Sequence, residues 1–168
     1  MSQTDEYRDI FDANRNPTGR VHKRGAPLPK GDYVLATSSW VINSAGKFLI
    51  IRRALGVSWR PGMWGTPGGG ALHGEDSLTA AIREAKEETG IILNPDGAKM
   101  LVTSTINQTH HLDRWLFRQE FDLSALVLQA EETMDARAAA WAEIAVMIEQ
   151  GEFIKADCPA LYDFLRSA

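Results

Sequence analysis

Cysteine is nearly absent from this chain of 168 residues, in which Cys158 stands alone. A single cysteine excludes an internal disulfide and a cysteine-rich zinc site, and it is typical of a reducing compartment. No stretch approaches the roughly 20 apolar residues that a membrane span requires, and residues 1–20 contain no apolar signal core. We therefore expect a soluble, cytoplasmic protein that makes no contact with a membrane.

Positive charge is also scarce, since 18 Lys and Arg face 22 Asp and Glu for a net charge of −4. Binding to long nucleic acids depends on neutralising phosphates with a basic face, so this class of partner is excluded. The composition is nevertheless 44% hydrophobic, which is enough to bury the core of one domain of ordinary size.

The pattern of residues predicts two parts. Residues 1–31 are polar and rich in turn residues, which indicates an N-terminal arm with a short hairpin, and residues 32–168 form the main domain. Within it, "DYVLATSSWVIN" and "KFLIIRR" predict antiparallel strands joined by a tight turn. A second strand pair is predicted at "KMLVTSTINQ" and "DRWLFRQEFDL", with His110 and His111 in a turn. "WAEIAVMIEQG" and "CPALYDFLRSA" have helical periodicity. This order favours an α/β fold with helices packed on a mixed sheet.

A further helix is predicted from Ser77 to Thr89, with Asp76 or Ser77 as its N-cap and Gly90 at its end. Leu78, Ile82 and Ala85 would form its buried stripe.

This helix carries an unusual concentration of acid, because Glu84, Glu87 and Glu88 share one face. A solvated acidic face, with Arg83 paired to Glu87, is the ordinary interpretation of such a helix. The alternative rests on Glu75 just before the helix and on the glycines at 68–70, which allow close backbone approach. Carboxylate and carbonyl oxygens together suit Mg²⁺ or Mn²⁺.

The segment is identified as a Nudix box by its spacing: Gly69, five residues, Glu75, seven residues and then "REAKEETGI" from Arg83. The resemblance covers roughly residues 32–150. It implies the Nudix fold, in which a mixed sheet lies between helices in an α/β/α sandwich. It also implies that metal and diphosphate meet on a loop, helix, loop unit.

Roles follow from that resemblance position by position. Metal-binding glutamates match Glu84, Glu87 and Glu88, and the backbone metal ligand matches the Gly69 carbonyl. Arg83 matches the arginine that holds helix and loop together by ion pairing, with Glu75 in support. Gly68, Gly69 and Gly70 match the substrate-binding loop.

The run "SSWVINSAGKFLIIRRALGVSWRPGMW" also resembles the region before the box in type I isopentenyl-diphosphate isomerases. Those enzymes need a catalytic cysteine soon after the tryptophan and a metal-binding histidine two residues on. Gly68 and Gly70 occupy those positions here, and the hydrolase box is intact. The resemblance therefore favours hydrolysis over isomerisation. It also favours hydrolysis over a ligand-binding domain without turnover, which has no chemical need for the full set of glutamates.

The implied reaction is attack by water on a nucleoside diphosphate linked to another group, with Mg²⁺ or Mn²⁺ as cofactor. The general base is left between Glu84 and the pair Glu131 and Glu132. The resemblance also implies a homodimer.

Three further residues are weaker candidates for substrate binding. Arg52 and Arg53 end a strand, and because adjacent strand residues point to opposite faces, at most one of them would reach a phosphate and the other would be a surface charge. Trp64 would either wall the substrate site or pack in the core.

Overall fold

The computed structural model describes residues 6–155 and 159–167, so Cys158 lies outside the described residues. The described residues contain eight strands, at Tyr7–Phe11 (β1), Pro17–Lys23 (β2), Tyr33–Ile42 (β3), Lys47–Arg53 (β4), Trp64–Gly65 (β5), Lys99–Ile106 (β6), His110–Arg118 (β7) and Thr133–Ala140 (β8). The helices are Ser77–Thr89 (α1), Trp141–Glu149 (α2) and Pro159–Ser167 (α3), with a 3-10 turn at Leu123–Ala125. In the described part of the chain, none of the helices has the length and apolar character needed to cross a membrane.

The strands form one mixed sheet. β3 runs parallel to β7, and the other strand pairs are antiparallel. The N-terminal strands β1 and β2 form a hairpin, and β1 also pairs with β3, so the hairpin extends the same sheet.

Alternation along the strands divides the core between the two faces of the sheet. On β3, Val41 packs in a cluster with the alanines of α1, whereas Trp40 and Ile42 pack in a second cluster with residues of α2 and α3. We call these the α1-side and α2-side clusters. The predicted α/β/α sandwich is therefore confirmed.

The middle of the sheet is split between β3 and β4, which pair only at Ile42 and Phe48. Residues 67–71 fill the split and pair with β3: the amide of Thr37 donates to the Gly69 carbonyl (2.8 Å), and the amide of Ser39 donates to the Pro67 carbonyl (2.7 Å). The glycine-rich segment thus lies at the centre of the sheet, directly beside α1.

Two details differ from the sequence-based expectations. The predicted turn at His110 and His111 is wrong, because β7 already begins at His110. The turn is confined to residues 107–109, where Asn107 and Gln108 adopt positive φ angles. Strand β8, which pairs along β4, was not predicted at all.

Candidate active site

Helix α1 begins and ends as the sequence predicts. The Asp76 side chain accepts a hydrogen bond from the amide of Thr79 (2.7 Å), and Gly90 ends the helix in the left-handed conformation. The expected stripe is partly wrong: Leu78 and Ile82 are only partly buried, while the fully buried positions are small residues at Ala80, Ala81 and Ala85. Small side chains let the helix lie close to the sheet.

Close packing carries Glu88 into the interior, where it is 1% exposed. One carboxylate oxygen accepts a hydrogen bond from the amide of Gly68 (2.9 Å). Burial raises the pKa of Glu88 to about 8, and the nearby charges of Glu84 and Glu132 add to the rise. Three carboxylates, two from α1 and one from the turn before β8, therefore act on one another here, and Arg53 opposes the rise at Glu88.

Glu84 lies against the glycine-rich segment. A Cβ atom added to Gly69 would stand 2.5 Å from both of its carboxylate oxygens. A Cβ atom on Gly68 would meet the carbonyl oxygen of Thr37 and stand 2.8 Å from the Cα of Ser38. Gly68 requires glycine because a Cβ atom there would clash with backbone, whereas a side chain at Gly69 would force the Glu84 carboxylate to move. Burial raises the pKa of Glu84 as well, against the opposing effect of Arg83.

Arg83 joins the helix to the segment before it. Its guanidinium donates to both carboxylate oxygens of Glu75 (2.9 Å each), to the Gly70 carbonyl (2.9 Å) and to Glu84 (2.9 Å). The expected pair with Glu87 is present at 3.0 Å. That pairing holds Glu87 near the surface, with its side chain 52% exposed. The ion-pairing role expected for Arg83 thus has a geometric basis.

Comparison with known sequences identifies the arrangement. The sequence model of the NUDIX domain matches residues 32–157. The chain belongs to the Nudix hydrolase family. Its members act on phosphorus-containing anhydrides, so the protein is a hydrolase of that class.

Named relatives agree with this assignment. A Nudix hydrolase of Listeria monocytogenes is 34% identical over 87% of this chain and 86% of its own length. The isopentenyl-diphosphate isomerase of Shigella flexneri is 35% identical, but over 54% of this chain and 50% of its own length. The resemblance to both families is therefore confirmed, and the isomerase likeness is partial.

Solved structures show the Nudix fold. DR0079 from Deinococcus radiodurans superposes with a TM-score of 0.75 at 20% identity, covering 96% of this chain and 98% of that one. An Ap4A hydrolase from C. elegans superposes with a TM-score of 0.54 at 23% identity, covering 79% and 93%.

Helix α1, called the Nudix helix from here on, brings the predicted metal ligands Glu84 and Glu88 together but leaves Glu87 at the surface. Within residues 6–155 and 159–167, no three His, Cys, Asp or Glu side chains are arranged to hold a metal ion. Arg83 pairs with Glu87 and with one carboxylate oxygen of Glu84. The Gly69 carbonyl points to β3, where it accepts from Thr37. The buried, mutually repelling carboxylates of Glu84 and Glu88 nevertheless fit a hard divalent cation.

The two loop glutamates are separated. Glu132 is half-buried and acts electrostatically on both Glu84 and Glu88, whereas Glu131 is exposed. The loop is fixed to the end of the Nudix helix, because the amide of Gln129 donates to the Glu88 carbonyl (3.2 Å). Of the pair, only Glu132 faces the helix carboxylates.

Of the three weaker candidates for substrate binding, one lies toward the Nudix helix and two do not. Arg53 acts on Glu88 and contacts the ring of Trp59 (5.4 Å), so it lies toward the Nudix helix. Arg52 instead donates to the Gly62 carbonyl (2.9 Å). Trp64 packs on the α2-side cluster with the guanidinium of Arg137 over its ring (4.8 Å), so it does not contact the carboxylates of the helix.

One residue beside the site escaped the sequence-based reasoning. Arg8, in the N-terminal hairpin, places its guanidinium against Gly70. Nothing in the polar, turn-rich arm signals this, because the contact depends on pairing between β1 and β3.

Proposed function

We propose that this Nudix hydrolase uses Mg²⁺ or Mn²⁺ to hydrolyse a diphosphate bond in a nucleoside diphosphate linked to another group. The observation that carries the proposal is the burial of Glu88 beside Glu84 and Glu132. A carboxylate with so little access to water is costly unless a cation compensates its charge. Without a bound cation Glu88 avoids this cost by keeping its proton, as its raised pKa indicates, and a divalent cation would favour the ionised form.

In this proposal Glu84, Glu87 and Glu88 hold the metal, with Glu87 and Glu88 one turn of the helix after Glu84. The Gly69 carbonyl stays a predicted ligand. A bound divalent cation would offset charge on the phosphate oxygens and acidify the attacking water. Arg83 keeps the helix and the glycine-rich segment in register through its bonds to Glu75 and Gly70.

Glu132 is the general base in this proposal. Glu84 already accepts a hydrogen bond from Arg83 and is held rigidly on the helix, which suits a ligand. Glu132 comes from the turn before β8 and acts electrostatically on both helix carboxylates, so it can accept a proton beside the metal without being one of its ligands. It would take the proton of the water that attacks phosphorus. The bond from phosphorus to the bridging oxygen then breaks, leaving a nucleoside monophosphate and a phosphorylated remainder.

Isomerase chemistry is disfavoured by the lack of space around the glycines. A side chain at Gly68 would collide with the backbone of β3, and one at Gly70 with Arg8. The cysteine and histidine that the isomerase branch needs at these positions would not fit this structure without a shift.

The test is a product-release screen with Mg²⁺ and with Mn²⁺. Its arms are nucleoside diphosphate sugars, dinucleoside polyphosphates, nucleoside triphosphates and isopentenyl diphosphate. We expect release from a nucleoside diphosphate derivative that EDTA abolishes. Full activity in EDTA, or conversion of isopentenyl to dimethylallyl diphosphate, would contradict the proposal. The homodimer and the cytoplasmic location stay predictions.

A further inference from the structure

The N-terminal hairpin is fixed beside the active site although it precedes the matched domain at residues 32–157. The side chain of Asp9 accepts from the amide of Gly74 (2.8 Å) and contacts the His73 ring nitrogen (2.7 Å). Phe11 packs against a small cluster that includes Ala71 and Ala80. These contacts connect β1 to the segment between the glycines and the Nudix helix.

The hairpin places Arg8 directly on the glycine-rich segment. A Cβ atom added to Gly70 would stand 2.5 Å from Nη2 of Arg8 and 2.7 Å from its Nε. A Cβ atom added to the preceding residue, Gly69, would instead meet the carboxylate of Glu84. Successive residues of an extended segment project to opposite sides, so Arg8 and Glu84 flank this segment on opposite sides.

The Arg8 guanidinium has no anionic partner in the described parts of the chain. Its Nε is buried without a hydrogen bond, and it forms no ion pair with any described carboxylate. Burial, followed by repulsion from Arg24, lowers its pKa. Arg20 on the same hairpin, in contrast, makes two bonds of 2.6 Å to Asp32.

Two carboxylates, Glu6 and Glu84, attract the Arg8 guanidinium without forming an ion pair with it, and imidazoles also lie near it. His22 lies opposite it in the hairpin, and the Nδ1 atom of His22 is buried without a partner. His110 is close enough that Arg8 contributes to the lowering of its pKa, after the larger effect of burial. A guanidinium that has imidazoles beside it and no ion pair with a described carboxylate can bind an anion.

We propose that Arg8 binds a phosphate group of the substrate, on the side of the glycine-rich segment opposite to Glu84. The inference rests on the proposed hydrolysis for its substrate class, but it assigns a residue outside the matched domain. Gly70 is then required because a side chain there would displace the guanidinium.

The first experiment compares Arg8→Gln, Arg8→Lys and the control Arg20→Gln, which removes a paired arginine from the same hairpin. For a substrate found in the screen, we expect Arg8→Gln to raise KM about 10- to 100-fold, the range typical of a lost hydrogen bond to a charged group. The value of kcat should stay within about twofold. Arg8→Lys should recover part of the loss, and Arg20→Gln should change little.

A double-mutant cycle with Gly70→Ala separates binding from folding. Gly70→Ala should itself raise KM, and the double variant with Arg8→Gln should be no worse than the poorer single variant. Thermal unfolding of each variant checks that the fold is retained. Unchanged KM in folded Arg8→Gln, or an equal rise in Arg20→Gln, would overturn the inference.

A direct binding measurement keeps this inference distinct from the proposed function. Calorimetric titration with methylenediphosphonate, which cannot be hydrolysed, should show binding to the wild-type protein in Mg²⁺ and at least tenfold weaker binding to Arg8→Gln. Absence of turnover in every arm of the screen would defeat the proposed function while this titration still tests Arg8. Equal binding by both proteins, or none by the wild type, would overturn the assignment of Arg8.

Discussion

Replacing Glu88 with Gln should stabilise the metal-free protein, and increasingly so as pH rises. Glu88 is 1% exposed, and its pKa rises from an ordinary value near 4.5 to about 8 in the folded state. Between these values the folded protein retains a proton that the unfolded chain has lost, so the free energy of unfolding falls as pH increases. A Gln side chain keeps an oxygen to accept the hydrogen bond from Gly68 but carries no charge.

The size of the effect follows from the difference in pKa. Each pKa unit corresponds to about 1.4 kcal/mol, so the rise of about 3.5 units gives up to about 5 kcal/mol. That full difference applies above pH 8, whereas at pH 5 the variant and the wild type should differ by under about 1 kcal/mol. Saturating Mg²⁺ should remove the advantage of the variant, because the cation stabilises only the wild-type carboxylate pair.

Urea denaturation in EDTA at pH 5, 7 and 9 measures this directly. Glu87→Gln is the matched control, since its carboxylate is half-exposed and paired with Arg83; it should keep the wild-type pH dependence. A Glu88→Gln variant that loses stability as steeply as the wild type between pH 5 and pH 9 would show that Glu88 does not cause this pH dependence.

Three further predictions concern neighbouring residues. Glu132→Gln should lower kcat at saturating substrate about 100-fold without weakening metal affinity, whereas Glu131→Gln, at an exposed position, should stay near wild type. Steady-state rates measured with a metal titration test this, and equal rates in both variants would argue against a loop base. Gly68→Ala should lower the free energy of unfolding by about 1–3 kcal/mol through a backbone clash, whereas Gly56→Ala, which meets open space, should not. Arg83→Lys should lower both the melting temperature and kcat, because one ammonium cannot replace its several directed bonds; unchanged values of both would contradict the linking role.

The predicted features that the structure confirms depend on local sequence. The cap at Asp76, the left-handed Gly90 and the pairing of Arg83 with Glu87 follow from neighbours within one or two turns of a helix. Such contacts are encoded by spacing along the chain.

The missed features depend on pairing between distant segments. "TMDARAAA" lacks the apolar alternation of a strand and becomes β8 because β4 lies beside it. Glu131 is exposed while Glu132 is half-buried because β8 begins at Thr133, directly after Glu132. Arg8 reaches Gly70 only through the pairing of β1 with β3.

Hydrolysis by this protein should depend on a divalent cation held by the carboxylates of α1. The most direct measurement is product release by purified wild type, Glu87→Gln and Glu88→Gln across a Mg²⁺ titration, with EDTA as the zero point. The exposed Glu149→Gln on α2 is the control. We expect no release in EDTA, a loss of about 100-fold or more in both Nudix-helix variants, and wild-type rates in the control. Near-normal turnover in both variants, or turnover that persists in EDTA, would contradict the account.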